Sequence, residues 1–177
     1  MGEAQIREAV DADVPAIVDL QNALLSTTTV EWTESPHTVE ERAQWMRRQR
    51  TLGYPVLVAV AATELVGWCS FGDFRDTTRW PGYRTTVEHT VHVREDHWGG
   101  GIGRGLMTQL FEAAQSLGKH VMVGAVTADN DASIRFHERL GFVEVARMPQ
   151  VGVKFGRWLD LVFLQKILDE REVPPAI

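Results

Sequence analysis

Apolar positions along the chain fall into short blocks whose spacing switches between the two-residue period of strands and the 3.6-residue period of helices. Gln5–Glu8 predicts a short strand, and Val14, Ile17, Val18 and Leu25 then share one helical face behind a cap at Asp11 or Asp13. Residues 26–38 are rich in Ser and Thr and predict a loop with a short extended piece around 30–33. Thr38 and Glu41 have capping-box spacing. They open a second helix with Val39, Ala43, Met46 and Leu52 as its apolar positions and Gly53 as its stop. Residues 55–61 and 65–72 are apolar runs joined by the short polar turn 62–64, the pattern of a hairpin.

Residues 73–84 are polar, contain Pro81-Gly82, and are long for a connection, which marks either a functional loop or a disordered one. A β-branched strand follows at 85–93, then a glycine cluster, then a helix at about 104–117 burying Leu106, Leu110, Ala113, Ala114 and Leu117 and ending at Gly118. Residues 120–127 form an apolar run of the kind buried on both faces of a sheet. A short helix at 130–140 stops at Gly141, and strands are expected at 142–147 and 158–166. No internal repeat or linker interrupts this series. The pattern predicts one α/β (α+β) domain over residues 1–168, with 169–177 as a flexible, solvated tail.

Composition narrows the partners. The chain has 177 residues and a formal net charge of -6, and its longest basic run is the pair Arg47-Arg48, so it lacks the basic footprint a phosphate backbone requires. Nucleic acid is not an expected partner. No stretch of about 18 apolar residues is present and the first ten residues lack the basic-then-apolar order of a signal peptide, so neither a membrane nor export is expected. A single cysteine, Cys69, excludes an intramolecular disulfide and fits a reducing, cytoplasmic compartment.

The glycines at 99, 100, 101, 103 and 105 lie between a strand and a helix, where close backbone approach and unpartnered helical N–H groups can cradle a pyrophosphate. The cluster ends Gly-Arg-Gly rather than Gly-Lys-Ser/Thr, which disfavours a nucleoside triphosphate loop. It also comes mid-chain after a hairpin, unlike a dinucleotide-binding fingerprint. What remains is strand, Gly-x-Gly loop, helix, strand, and a short helix leading into Leu140-Gly141-Phe142.

That arrangement resembles the GNAT N-acetyltransferases. Trp98 to Gly103 matches the family's pyrophosphate loop except at its first position, where Trp98 stands in place of Gln or Arg, and NDASIRFHERLGF matches its later Asn, Ser and Leu-Gly-Phe. The strings TVEHTVHV, YPVLVA and MPQVGVKFGRWLDL are most similar to the phosphinothricin and methionine sulfoximine acetyltransferases of that family. The resemblance implies a mixed sheet parted between its fourth and fifth strands, about four flanking helices, acetyl-CoA as co-substrate, a small amino acid as acceptor, and a homodimer in which residues 151–156 complete the neighbour's pocket. It further implies that Val91, His92 and Val93 pair with the pantetheine arm like an added strand. Gly99, Gly100, Gly101, Ile102, Gly103 and Arg104 would hold the diphosphate, and Asn130 the pantetheine.

Acyl transfer to an amine needs a base for the ammonium, polarisation of the thioester carbonyl, and a proton for the departing thiolate. Glu88 is a carboxylate in an otherwise uncharged strand, a costly placement unless it faces a cleft, and is the expected base. Alternation puts Glu88, Thr90 and His92 on one face and His89, Val91 and Val93 on the other, with the Val93 N–H the candidate to polarise the carbonyl. His137 stands where many relatives carry a tyrosine that protonates the thiolate; substrate contact, or simple packing beside Ile134 and Leu140, are the alternatives. The odd spacing of His89 and His92 sends their rings to opposite faces, so no metal is expected. Cys69 reads as packing rather than as an acyl carrier. Arg75, with Pro81, Gly82 and Tyr83 in the turn before Glu88, and Trp32 are the expected substrate contacts, a guanidinium suiting the carboxylate of an amino acid. A protein N-terminal or polyamine acetyltransferase, or a non-catalytic CoA-binding sensor, are the competing functions, although Arg75, Arg79 and Arg84 ill suit a polyamine channel.

Overall fold

The computed structural model describes residues 4–175, which form two compact units. The first takes the chain up to Thr28, then Thr33–Phe71 and Thr90–Glu112; the second takes Thr29–Trp32, Gly72–His89 and the chain from Ala113 onward.

In the first unit β1 (Gln5–Glu8), β2 (Val56–Ala61) and β3 (Glu64–Asp73) form an antiparallel meander that continues to β4 (Thr86–Val93). Helices α1 (Val14–Leu25) and α2 (Val39–Leu52) bury Ile17, Val18 and Met46 with Val58 and Trp68 in one cluster. The ends of α2 follow from local chemistry. The Thr38 hydroxyl accepts from the Glu41 amide, the Glu41 carboxylate accepts from the Thr38 amide, and Gly53 closes the helix at φ 70°. At α1 the capping residue turns backwards. Asp13 sits at the N-cap, but its carboxylate accepts from the Val10 amide and pairs with Arg7 instead of reaching into the helix.

In the second unit β5 (Val121–Thr127) runs parallel to β4, and β7 (Arg157–Ile167) is antiparallel to both β5 and the edge strand β6 (Val143–Lys154), giving the order β4-β5-β7-β6. The β4–β5 ladder covers only Thr86–Val121 to Glu88–Val123, although β4 continues to Val93 and β5 to Thr127. The ladder thus ends partway along both strands, and these are the fourth and fifth strands between which the resemblance implies an opening. α3 (Ile102–Ser116), most of it in the first unit, and α4 (Asp131–Arg139), in the second, bring the α-helices among the described residues to four.

Several expectations change. Residues 30–32 form bends and Thr33 has no regular structure, so the expected extended piece is absent. Val39, Leu52 and Leu117 are exposed because each stands at a helix end, and the buried positions of α2 are Arg42, Met46 and Gln49. The strand expected at 142–147 is twelve residues long. Pro149 and Gly152 break its pattern, but an edge strand tolerates a proline, and the register shifts between Met148 and Gly152. Phe155 and Gly156, both at positive φ, make the two-residue turn into β7. The tail expected at 169–177 carries no helix or strand through 175 and is held by Arg171 to the Gly118 carbonyl and by Asp169 to His120; residues 176 and 177 lie outside the described range.

Candidate active site

Strand pairing sorts the second unit's side chains into two faces. Glu88 is opposite Val123 in parallel register, and through β5 and β7 the same face carries Ala125 beside Phe163 and Thr127 beside Leu161. Glu88 is half-buried and its carboxylate has no hydrogen-bond partner among the described residues. Burial pushes its carboxyl above the usual range, and the nearby Arg75 guanidinium pulls it part of the way back. Arg75 is exposed and lies over the ring of Phe74, which meets Phe163 edge-on at 6.4 Å between centroids and Tyr83 at 6.1 Å. Pro81–Tyr83 form one 3-10 turn. Arg84 points elsewhere, to the carbonyls of Pro81 and Pro175.

Trp32 covers the far end of this face. Its Nε1 donates to the Thr127 hydroxyl at 2.9 Å, that hydroxyl donates to the Thr29 carbonyl at 2.7 Å, and the buried Lys154 ammonium donates to the Glu31 carbonyl at 2.7 Å. Between Trp32 and Phe74 the floor is open: Ala125 is exposed, and Leu161 and Phe163 are half-buried.

The opposite face holds a pair of buried histidines. His137 Nε2 and His89 Nε2 lie 3.2 Å apart, and His137 Nδ1 lies 2.6 Å from the Ser133 carbonyl. A carbonyl only accepts, so Nδ1 of His137 carries the proton, its Nε2 is a lone pair, and His89 must donate from Nε2. That leaves His89 Nδ1 as a buried acceptor with no partner. Burial lowers the pKa of both rings, that of His89 strongly. Both are neutral imidazoles. Phe142 packs against the two rings, and a Cβ at Gly124 would stand 3.0 Å from His89 and 3.1 Å from His137, so β5 needs glycine there. His137 is therefore engaged at both nitrogens, packed with Phe142 and Phe136. Its partner His89 is 48 residues away, and the two meet only because β4 pairs with β5 and α4 packs on β5 over Gly124.

In the first unit, Val91 and Val93 are half-buried and His92 is buried against Trp68 at 5.2 Å between ring centroids. The glycine loop begins after a 3-10 turn at Glu95–His97. Gly99 and Gly101 hold φ 76° and 84°, which other residues rarely adopt, and α3 starts at Ile102. Its first turn exposes the amides of Ile102, Gly103 and Arg104, contains no acidic side chain, and carries the exposed Arg104. A cation at a helix N-terminus is unfavourable by itself and favourable around an anion, so these residues fit a diphosphate. Trp98 donates its indole N–H to the Val93 carbonyl at 2.8 Å and so ties the loop to the end of β4. Asn130 caps α4, its Oδ1 accepting from the Ser133 amide at 3.1 Å. Cys69 is buried, contacts the Leu106 carbonyl at 3.6 Å, and has its thiol pushed far up by burial, as a packing residue would.

The half-buried carboxylate at the last rung of the β4–β5 ladder and, in the first unit, the glycine loop that opens α3 are the kinds of base and diphosphate cradle that an acyl-CoA-dependent transferase uses. The model of the acetyltransferase (GNAT) family matches residues 17–142, and the chain belongs to that family; it is an N-acetyltransferase. It is 45% identical over 97% of its length to the L-amino acid N-acyltransferase MnaT of Escherichia coli, covering 98% of that protein. It is 46% identical, over 97% of its length and 98% of the relative, to an L-methionine sulfoximine/L-methionine sulfone acetyltransferase of Salmonella typhimurium. An acetyltransferase of Salmonella typhimurium solved with its cofactor acetyl-CoA superposes with a TM-score of 0.93 at 44% identity, covering 99% of this chain and 100% of that one.

Proposed function

We propose that the chain transfers acetyl from acetyl-CoA to the α-amine of a small L-amino acid or analogue, methionine sulfoximine and phosphinothricin being representative acceptors. The single observation that carries this reading is Glu88: a half-buried carboxylate with raised pKa on an open apolar face, with a guanidinium beside it. Glu88 takes a proton from the substrate ammonium, directly or through water. The free amine attacks the acetyl carbonyl, polarised by the Val93 N–H. The carbon–sulfur bond then breaks, and the thiolate takes up the proton that the new amide nitrogen sheds. Arg75, with the Pro81–Tyr83 turn beside it, receives the substrate carboxylate, and Trp32 closes the side-chain end. Gly99 to Arg104 hold the diphosphate while Val91 to Val93 and Asn130 hold the pantetheine. His137, engaged at both nitrogens, serves as a positioning residue in this scheme, since its one N–H is already given to Ser133.

The unpaired edge of β6 supports a homodimer. Val145, Val151 and Val153 are 55%, 44% and 52% exposed on a twelve-residue edge strand, a surface that a second copy would cover. No helix among the described residues is long and apolar enough to cross a membrane. With one buried thiol, the reading places the enzyme in a reducing, cytoplasmic setting.

The test is coenzyme A release, followed with a thiol reagent, from acetyl-CoA mixed with methionine sulfoximine, phosphinothricin, methionine, spermidine or an N-terminal peptide. Saturable release is expected with the amino acids. Its turnover should fall as pH drops through the raised pKa of Glu88, and Glu88→Gln should reduce turnover by about 10²-fold or more with the KM for acetyl-CoA unchanged. Release with peptide or spermidine alone would overturn the reading.

A further inference from the structure

Gly152 is a glycine for a reason its backbone does not supply. Its φ is not in the left-handed region, so any residue could adopt that conformation, and glycine inside a strand costs stability. The reason is Trp32. A Cβ at residue 152 would stand 2.0 and 2.1 Å from two ring carbons of Trp32, far inside contact distance, so the indole lies flat on the bare backbone of β6. The ring is fixed on its other side by the Thr127 hydroxyl, and the segment before it by Thr127 on the Thr29 carbonyl and by Lys154 on the Glu31 carbonyl. Three residues from β5 and β6 therefore pin a loop segment of four residues onto the Glu88 face.

From this arrangement we propose that the Trp32–Gly152 stack is the wall that sets acceptor side-chain length, and that Gly152 is a specificity-determining residue. The inference rests on the amino-acid reading given above. Along β5, Ala125 lies about 7 Å and Thr127 about 13 Å beyond the register position of Glu88, at 3.3 Å per residue. An acceptor whose amine is at Glu88 lays its side chain over Ala125, Leu161 and Phe163, and meets the indole held by Thr127. A chain of methionine length fills that interval. A longer one requires the indole to move. Glycine at 152 lets the ring lie deepest against β6, so any side chain there pushes it into the interval and shortens the pocket.

The experiment measures kcat/KM over a series of L-amino acids of increasing length, with methionine sulfoximine, methionine and phenylalanine as reference points, for wild type, Gly152→Ala, Trp32→Leu and the double variant. Gly152→Ala should lower kcat/KM for methionine sulfoximine at least 10-fold through KM while the KM for acetyl-CoA stays within twofold. Trp32→Leu should raise phenylalanine relative to methionine sulfoximine at least 10-fold, and in the double variant the Gly152→Ala loss should shrink, because the clash has gone. An unchanged order of acceptors in Trp32→Leu, a variant that needs no extra space, overturns the proposal even where Gly152→Ala does not fold. Wild type inactive on every amino acid would instead overturn the underlying reading, so the two failures are distinguishable.

Discussion

Glu88 and His89 are neighbours in the chain with opposite proton chemistry, because successive residues of a strand face opposite sides. Glu88 looks onto an open floor, and burial pushes its carboxyl above the usual range, whereas His89 looks into the packed side, and burial pushes its ring well below the usual range. The histidine pair has a measurable cost. An unfolded histidine takes a proton as pH falls below about 6.5, while folded His89 and His137 refuse it until lower pH, so stability is full above that value and falls as pH drops below it. At one pH unit below 6.5 the loss is about 1.4 kcal/mol for each ring that stays neutral. Urea unfolding at pH 7.5 and 5.5 should show this loss, and His89→Asn should flatten it; an equal slope in both proteins would contradict the neutral pair. None of this was legible in sequence, where His89 was one of two histidines at an unhelpful spacing and Gly124 one small residue in an apolar run.

At the scale of elements, what was local was legible and what depended on neighbours was not. Thr38, Glu41 and Gly53 fix both ends of α2 through contacts within a few residues, and they announce the helix correctly. β6 was underestimated because Pro149 and Gly152 break its alternation, and the ladder to β7 that absorbs those breaks is visible only once the strands are paired. Helix α4 makes a separable test of the pantetheine assignment. Asn130 has a structural task at its N-cap and a proposed one toward pantetheine. Asn130→Ala should cost about 1 kcal/mol in unfolding free energy. Asn130→Ser, which keeps a cap, should recover that stability but not the KM for acetyl-CoA, which is expected to rise about 10-fold in both. Recovery of both by Ser would reduce Asn130 to a cap.

The whole molecule presents an apolar edge strand that an isolated copy would leave in water. Val145→Lys puts a charge on that edge and should shift the sedimentation of the chain toward a monomer while leaving its circular dichroism unchanged. An unaltered dimer, or a wild type that is monomeric at micromolar concentration, would remove β6 from the assembly. The family-level architecture was legible from the glycine loop and the NDASIRFHERLGF string, since both are contiguous; the acceptor face was not, because Glu88, Ala125, Phe163, Trp32 and Gly152 come from five separate stretches of the chain. Cys69 has a practical corollary. It is the only sulfhydryl in the polypeptide and burial keeps it from ionising, so a thiol-reactive dye added to the native enzyme reads product alone, from a zero baseline. Denaturation then releases one equivalent per chain, and the same cuvette that reports turnover also counts the molecules that have lost their fold.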